Sequence, residues 1–228
     1  MRFNSALIVI GIIALAGSPA RAQVAPTASE AAAYTGLHAA AQRGDLAKIE
    51  QLAAAKADLN ARDGNGRTPL HVASFAKQRD AIRVLVKAGA NINLLDKDRY
   101  DGVTIASVAD DEETLRVLLA SGASAKLFTS RYDGTALIAA AHLGHDGVVK
   151  LLIAAGAPLD HVNNLHWTAA IEAVVLGNGG ARHQETLRAL IKAGADLQLT
   201  DRQGNTPLQL ATSRGYPEMV KMLSVPAR

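Results

Sequence analysis

The chain repeats itself, and this constrains its fold more than any other feature. Thr68-Pro69-Leu70-His71-Val72-Ala73 recurs as Thr135-Ala136-Leu137-Ile138-Ala139-Ala140, as Thr168-Ala169-Ala170-Ile171-Glu172-Ala173 and as Thr206-Pro207-Leu208-Gln209-Leu210-Ala211. Weaker copies stand at Thr35-Gly36-Leu37-His38-Ala39-Ala40 and Asp101-Gly102-Val103-Thr104-Ile105-Ala106. The copies start at 35, 68, 101, 135, 168 and 206, in steps of 33, 33, 34, 33 and 38 residues. A unit of that length cannot bury its apolar faces alone, so each must stack on its neighbours and the chain must be a solenoid.

Within each unit a second landmark follows, an apolar stretch closed by Gly-Ala: Val84 to Ala90, Val117 to Ala123, Leu151 to Ala157 and Leu190 to Ala195. Threonine before Pro69 and Pro207 caps a helix, and the proline occupies its first turn, where a missing N–H costs nothing. The closing glycine supplies the left-handed residue that ends a second helix. Leu85, Leu118, Leu151 and Leu190 are expected to lie in the stack.

The period, the Thr-Pro-Leu-His signature and the Gly-Ala closure together resemble the ankyrin repeat over about residues 34 to 223. The resemblance implies an all-α solenoid of about six helix-turn-helix repeats joined by β-hairpin-like turns, with repeats near 34–62, 63–95, 96–129, 130–162, 163–200 and 201–225. Departures from the pattern have structural readings. Lys56 replaces the closing glycine and Gly36 the proline, as suits an amino-terminal capping repeat. Ser213, Arg214, Glu218 and Lys221 make a polar carboxy-terminal cap. Asp110 to Glu113 put acids at the positive end of a helix dipole.

Ahead of the repeats, Arg2 precedes an apolar run from Ala6 to Ala16, a break at Gly17-Ser18-Pro19 and then Ala20-Arg21-Ala22. That order predicts a secretory signal over residues 1–22, cleaved to expose Gln23. The alternative, a membrane anchor, needs about 20 apolar residues, roughly twice the run present. Residues 23–33 read as a short linker or a first helical turn capped by Ser29. Removing residues 1–22 takes away Arg2 and Arg21 and no acid, so 24 basic residues against 21 acidic become 22 against 21. A near-neutral mature chain with interspersed charge gives no footprint for nucleic acid or an anionic membrane. The chain has no cysteine, which excludes disulfides, a lipidated amino-terminal cysteine and a thiol nucleophile.

Little in the sequence suggests chemistry. His38 and His71 take the fourth signature position, where the resemblance implies hydrogen bonds between adjacent turns. His142, His145, His161 and His166 are the candidates for a metal, but no thiol and no His-Glu-x-x-His frame accompanies them. No Gly-x-Ser-x-Gly elbow is present, and Asp96, Asp98 and Asp101 lie in a turn segment, where aspartate forms local hydrogen bonds. Gly177-Asn178-Gly179-Gly180 lacks the strand and the Lys-Ser/Thr end of a phosphate loop. Five extra residues between Thr168 and Gly194 mark an insertion between the helices of the fifth repeat, either tolerated or used in binding. The expectation is therefore a non-enzymatic monomer without cofactor or metal.

What remains is binding. Outward turn positions carry Asn65 and Arg67, Asp98 and Tyr100, Arg131 and Tyr132, Leu165 and Trp167, and Gln203 and Asn205, while helix ends on the same face carry Phe75, Val108, His142, Val175 and Arg214. Aromatic residues are 4% of the chain, so Phe75, Tyr100, Tyr132 and Trp167 on one face predict a hot-spot surface for a protein partner, with Arg67 and His142 beside them. The contrary reading is that these aromatics brace the turns. The segment Tyr132 to Arg182 is similar to small exported ankyrin proteins of bacteria, a resemblance that implies a periplasmic binding module and an association with peroxide defence. Two alternatives are a secreted effector or inhibitor and a histidine-based metal protein.

Overall fold

The computed structural model describes residues 24–224. The proposed signal segment lies outside the described residues. The described chain is all-helical: α1 (Ala28–Ala33), α2 (Gly36–Arg43), α3 (Leu46–Ala54), α4 (Pro69–Phe75), α5 (Arg79–Lys87), α6 (Gly102–Val108), α7 (Glu112–Ala120), α8 (Ala136–Leu143), α9 (Asp146–Ala154), α10 (Ala169–Val175), α11 (Ala181–Ala193), α12 (Pro207–Ser213) and α13 (Pro217–Leu223). No strand occurs among the described residues; one isolated antiparallel bridge joins Thr129 and Gly134.

From the second repeat on, each first helix starts where the sequence supplies an acceptor. Thr68, Thr135, Thr168 and Thr206 accept from the backbone N–H three residues on, and Asp101 does the same for α6, replacing the threonine. Pro69 and Pro207 fall in the first turn. The first helices α2, α4, α6, α8, α10 and α12 pack in series, and the second helices α3, α5, α7, α9, α11 and α13 form a parallel row behind them. Between the rows, Leu70, Ile82, Leu85, Leu118, Leu137, Leu152, Leu187 and Leu190 are buried to 1% exposure or less. Leu151 is only half-buried, so Leu152, four residues before Gly156, takes the stack position. An apolar pair at 151 and 152 leaves the sequence ambiguous by one residue, and helical phase decides it.

Histidines tie the turns. A ring nitrogen of His38 lies 2.9 Å from the Arg67 carbonyl, and that of His71 3.0 Å from the Tyr100 carbonyl. Because the Thr68 backbone N–H donates to His71 Nδ1 at 3.1 Å, the ring proton sits on Nε2 and is given to Tyr100. Burial, helped by the nearby Arg62 charge, pushes the His71 pKa down to about 4.

Two expectations need correction. Of the two readings of residues 23–33 the helical turn is the one found, as α1, but its cap is Thr27, which forms a capping box with Glu30, and not Ser29. The fifth-repeat insertion is not chiefly a loop, since α11 is 13 residues long where α5, α7 and α9 have 9. The lengthened start is fastened on several sides. Arg182 bonds to Asp110 at 2.8 Å and Asp146 at 3.3 Å, a His183 ring nitrogen lies 3.0 Å from the His142 carbonyl, and Tyr216 donates to the Gly177 carbonyl at 3.0 Å.

Candidate functional site

The turns that link the repeats share one design. Asp63, Asp96, Asn163 and Asp201 each accept two backbone N–H groups of their own turn through one side-chain oxygen. Each also donates its backbone N–H to a carbonyl four residues on, from Arg67, Tyr100, Trp167 and Asn205. In the fourth repeat the matching bond runs from Thr129 to Gly134, one residue longer. Tyr132 is therefore not in register with Arg67, as the even spacing suggested; the extra residue thrusts it to the tip, where it is 37% exposed.

The six predicted surface residues separate into a covered pair, a groove-lining trio and Trp167, which belongs to neither. Arg67 is corrected outright, because it is 4% exposed. Its guanidinium donates to the Val24 carbonyl at 2.7 Å, approaches Asp63 at 3.6 Å and Glu30 at 3.7 Å, and lies over the Phe75 ring at 5.8 Å. The segment around α1 thus covers this end of the face. Tyr34 closes it by donating to Asp63 at 2.7 Å, and burial with that bond raises the tyrosine pKa to about 12. Phe75 is half-buried under the same arginine.

Tyr100, Tyr132 and His142 instead line a single groove of about 480 Å³ across the third, fourth and fifth repeats, whereas Trp167 is half-buried in its turn and outside the groove. Its walls also carry Val108, Ile138, Leu143, Leu165 and Leu176, and the last three are 38–42% exposed. A contiguous apolar concavity with a few polar groups is what a recognition site requires. One of those polar groups was missed in the sequence. Glu172, 4% exposed, lies in the groove wall; its Oε1 accepts from Asn163 Nδ2 at 3.0 Å, and its Oε2 lies 3.3 Å from His142 Nδ1. The available signal was an acid at a signature position that is apolar in every other copy.

The four histidines considered for a metal point to different places. A His145 nitrogen lies 2.9 Å from the Ser107 carbonyl, His161 stacks on Phe128 at 4.3 Å and faces the Asp133 carbonyl, His142 faces Glu172, and His166 is exposed in its turn at φ +65°. Among the described residues no three histidine, cysteine, aspartate or glutamate side chains form a group suited to a metal ion.

Stacked helix pairs, threonine-capped first helices and histidine-tied turns define a repeat protein with one open face. A family model for ankyrin repeats (3 copies) matches residues 13–96 and again 103–201, and the single ankyrin repeat model matches residues 203–224; the chain belongs to the ankyrin repeat family. It is similar to the Escherichia coli ankyrin repeat protein YahD, at 38% identity over 41% of this chain and 47% of that protein. The match thus spans under half the length of that curated relative. Among solved structures, an ankyrin repeat domain of Acinetobacter baumannii is 44% identical, covers 82% of this chain and 95% of its own, and superposes with a TM-score of 0.77. A chain of the complex between the Bdellovibrio bacteriovorus predatory endopeptidase Bd0816 and immunity protein Bd3460 is 27% identical, covers 84% of this chain and 97% of its own, and gives a TM-score of 0.68. Ankyrin repeats are protein–protein interaction modules, which accords with non-catalytic binding.

Proposed function

We propose that the protein is a non-catalytic binding module of the bacterial periplasm that holds a partner protein in the groove of its third to fifth repeats. The observation that carries this reading is the groove itself, apolar and open in the middle of a face whose amino-terminal end is covered by the chain's own leading segment. The compartment rests on the leader-like order of residues 1–22, and a role in peroxide defence on the resemblance alone. The likeness to a chain of an endopeptidase–immunity protein complex favours a protein over a small molecule as partner. It also supports a second reading, an inhibitor of a secreted or periplasmic enzyme.

Affinity capture from periplasmic extract tests the reading. Tyr132→Ala and Leu165→Asp should abolish capture of a partner while leaving thermal unfolding nearly unchanged. Capture that survives both variants overturns the groove as the binding site. Mass spectrometry of the mature protein should find Gln23 at the amino terminus in the soluble periplasmic fraction, and an intact Met1 in membranes overturns the compartment.

A further inference from the structure

The position four residues after the signature threonine or aspartate is Ala39, Val72, Ile105, Ala139, Glu172 and Leu210 along the six repeats. A single carboxyl therefore replaces an apolar side chain in an otherwise apolar ladder, and it does so 4% exposed in the lining of the groove. Burying a carboxylate is expensive unless something compensates it. Compensation is half supplied. The turn residue that is aspartate in the second, third and sixth repeats is Asn163 in the fifth, which removes a like charge and donates to Glu172 Oε1 at 3.0 Å. The other oxygen, Oε2, makes no hydrogen bond within the protein. The His142 ring stands against it, Nδ1 at 3.3 Å, and the side chain of that histidine is 44% exposed.

We infer that Glu172 is the receptor for a lysine side chain of the partner protein, which displaces the His142 ring and seats its ammonium on Oε2. This rests on the reading of the groove as the partner site. The same groove is lined by Ile138 and Val108, apolar wall for the lysine methylenes, and by the rings of Tyr100 and Tyr132. Lysine fits better than arginine because one carboxylate oxygen is already spent on Asn163. A guanidinium favours two parallel bonds to a carboxylate, whereas an ammonium binds as a point charge with three donors.

The test is a ¹H–¹⁵N NMR titration of the protein with a capped peptide holding one central lysine between glycines and serines. Amides of residues 138–143 and 168–176 should shift and saturate. The norleucine version of the peptide should bind about tenfold more weakly or less well still, as loss of a charged hydrogen bond demands. Glu172→Gln keeps an acceptor for Asn163 and so keeps the fold, and it should weaken the lysine peptide to the same degree. His142→Ala removes the cover and should tighten it. Equal binding of the norleucine peptide, equal binding by Glu172→Gln, tighter binding of the arginine peptide, or tighter binding of free butylamine than of the lysine peptide each overturns the inference. If Tyr132→Ala and Leu165→Asp abolish partner capture while Glu172→Gln does not, the groove reading stands and the lysine inference falls. If capture ignores all three variants, both fall.

Discussion

The two ends of the recognition face use the same repeat frame in opposite ways. In the second repeat the polar groups are turned onto the chain itself: Arg67 is buried against Val24, Glu30, Asp63 and Phe75, its Nη1 held by charge alone without a hydrogen bond, Asp63 serves its own turn and Tyr34, and His71 is locked between Thr68 and Tyr100. In the fourth and fifth repeats the equivalent surface is left unspent, with Tyr132, Leu143, Leu165 and Leu176 exposed and Glu172 Oε2 without a hydrogen bond. The difference teaches that turn position alone does not make a recognition residue. What decides is whether another segment of the chain has already consumed its polar or apolar surface.

Both regions rest on one stack, and its removal should have the largest effect. Leu85→Ala in the second repeat and Leu152→Ala in the fourth should each lose about 2–5 kcal/mol in urea unfolding, through lost burial and a cavity. Leu151→Ala should lose clearly less, because that side chain is half-buried. Equal losses at 151 and 152 would place the helical phase of α9 wrongly.

Acid should break the amino-terminal region first. His71 is held neutral, with its pKa down from 6.5 to about 4, so the unfolded chain takes up a proton that the folded one refuses. Its contribution is complete above about pH 6.5 and is lost as pH falls towards 4, to a total of roughly 3 kcal/mol. Urea unfolding at pH 7 and pH 5 should show the loss, and His71→Gln should flatten that part of the profile. Arg67→Ala, which strips Asp63 and Glu30 of their buried cation, should cost about 1–3 kcal/mol of stability and no partner affinity.

The central region should respond in reverse. Tyr132→Ala should change folding by about 0.5 kcal/mol or less, yet lower partner affinity by about 2 kcal/mol or more, read by melting and by the capture assay. A Tyr132 variant that unfolds as badly as Arg67→Ala would erase the distinction between the two regions.

The smallest effect lies at the amino-terminal cap. Lys56 holds φ +59°, a left-handed conformation that glycine adopts at the ends of other second helices. Lys56→Gly should stabilise the protein by about 0.5 kcal/mol, as improved helix caps do, measurable as a rise in the unfolding midpoint. The exposed pairs of Arg182 with Asp110 and Asp146 are worth under about 1 kcal/mol for the same reason that other surface pairs are.

The repeat fold was legible because its signals are local and recur: a capping threonine, a proline in a first turn and a closing glycine each act within a few residues. Much of the site was not. The spacing put Arg67 outward, but Val24 and Glu30, some forty residues earlier, cover it. Tyr132 and Tyr100 seemed equivalent, but an extra turn residue between Thr129 and Gly134 changed which way the former stands. Glu172 carried a sequence signal, an acid in an apolar column, whose meaning depended on a neighbour nine residues back.

The sequence by itself determined the number of repeats, the caps of most of their first helices and the all-helical solenoid, because those follow from backbone capping and from apolar faces that one unit cannot bury alone. Only the tertiary structure decided which side chains remain available at the surface. Availability depends on contacts made across the stack, between residues thirty or more positions apart, and no local pattern encodes which of those contacts has already satisfied a given charge or covered a given ring.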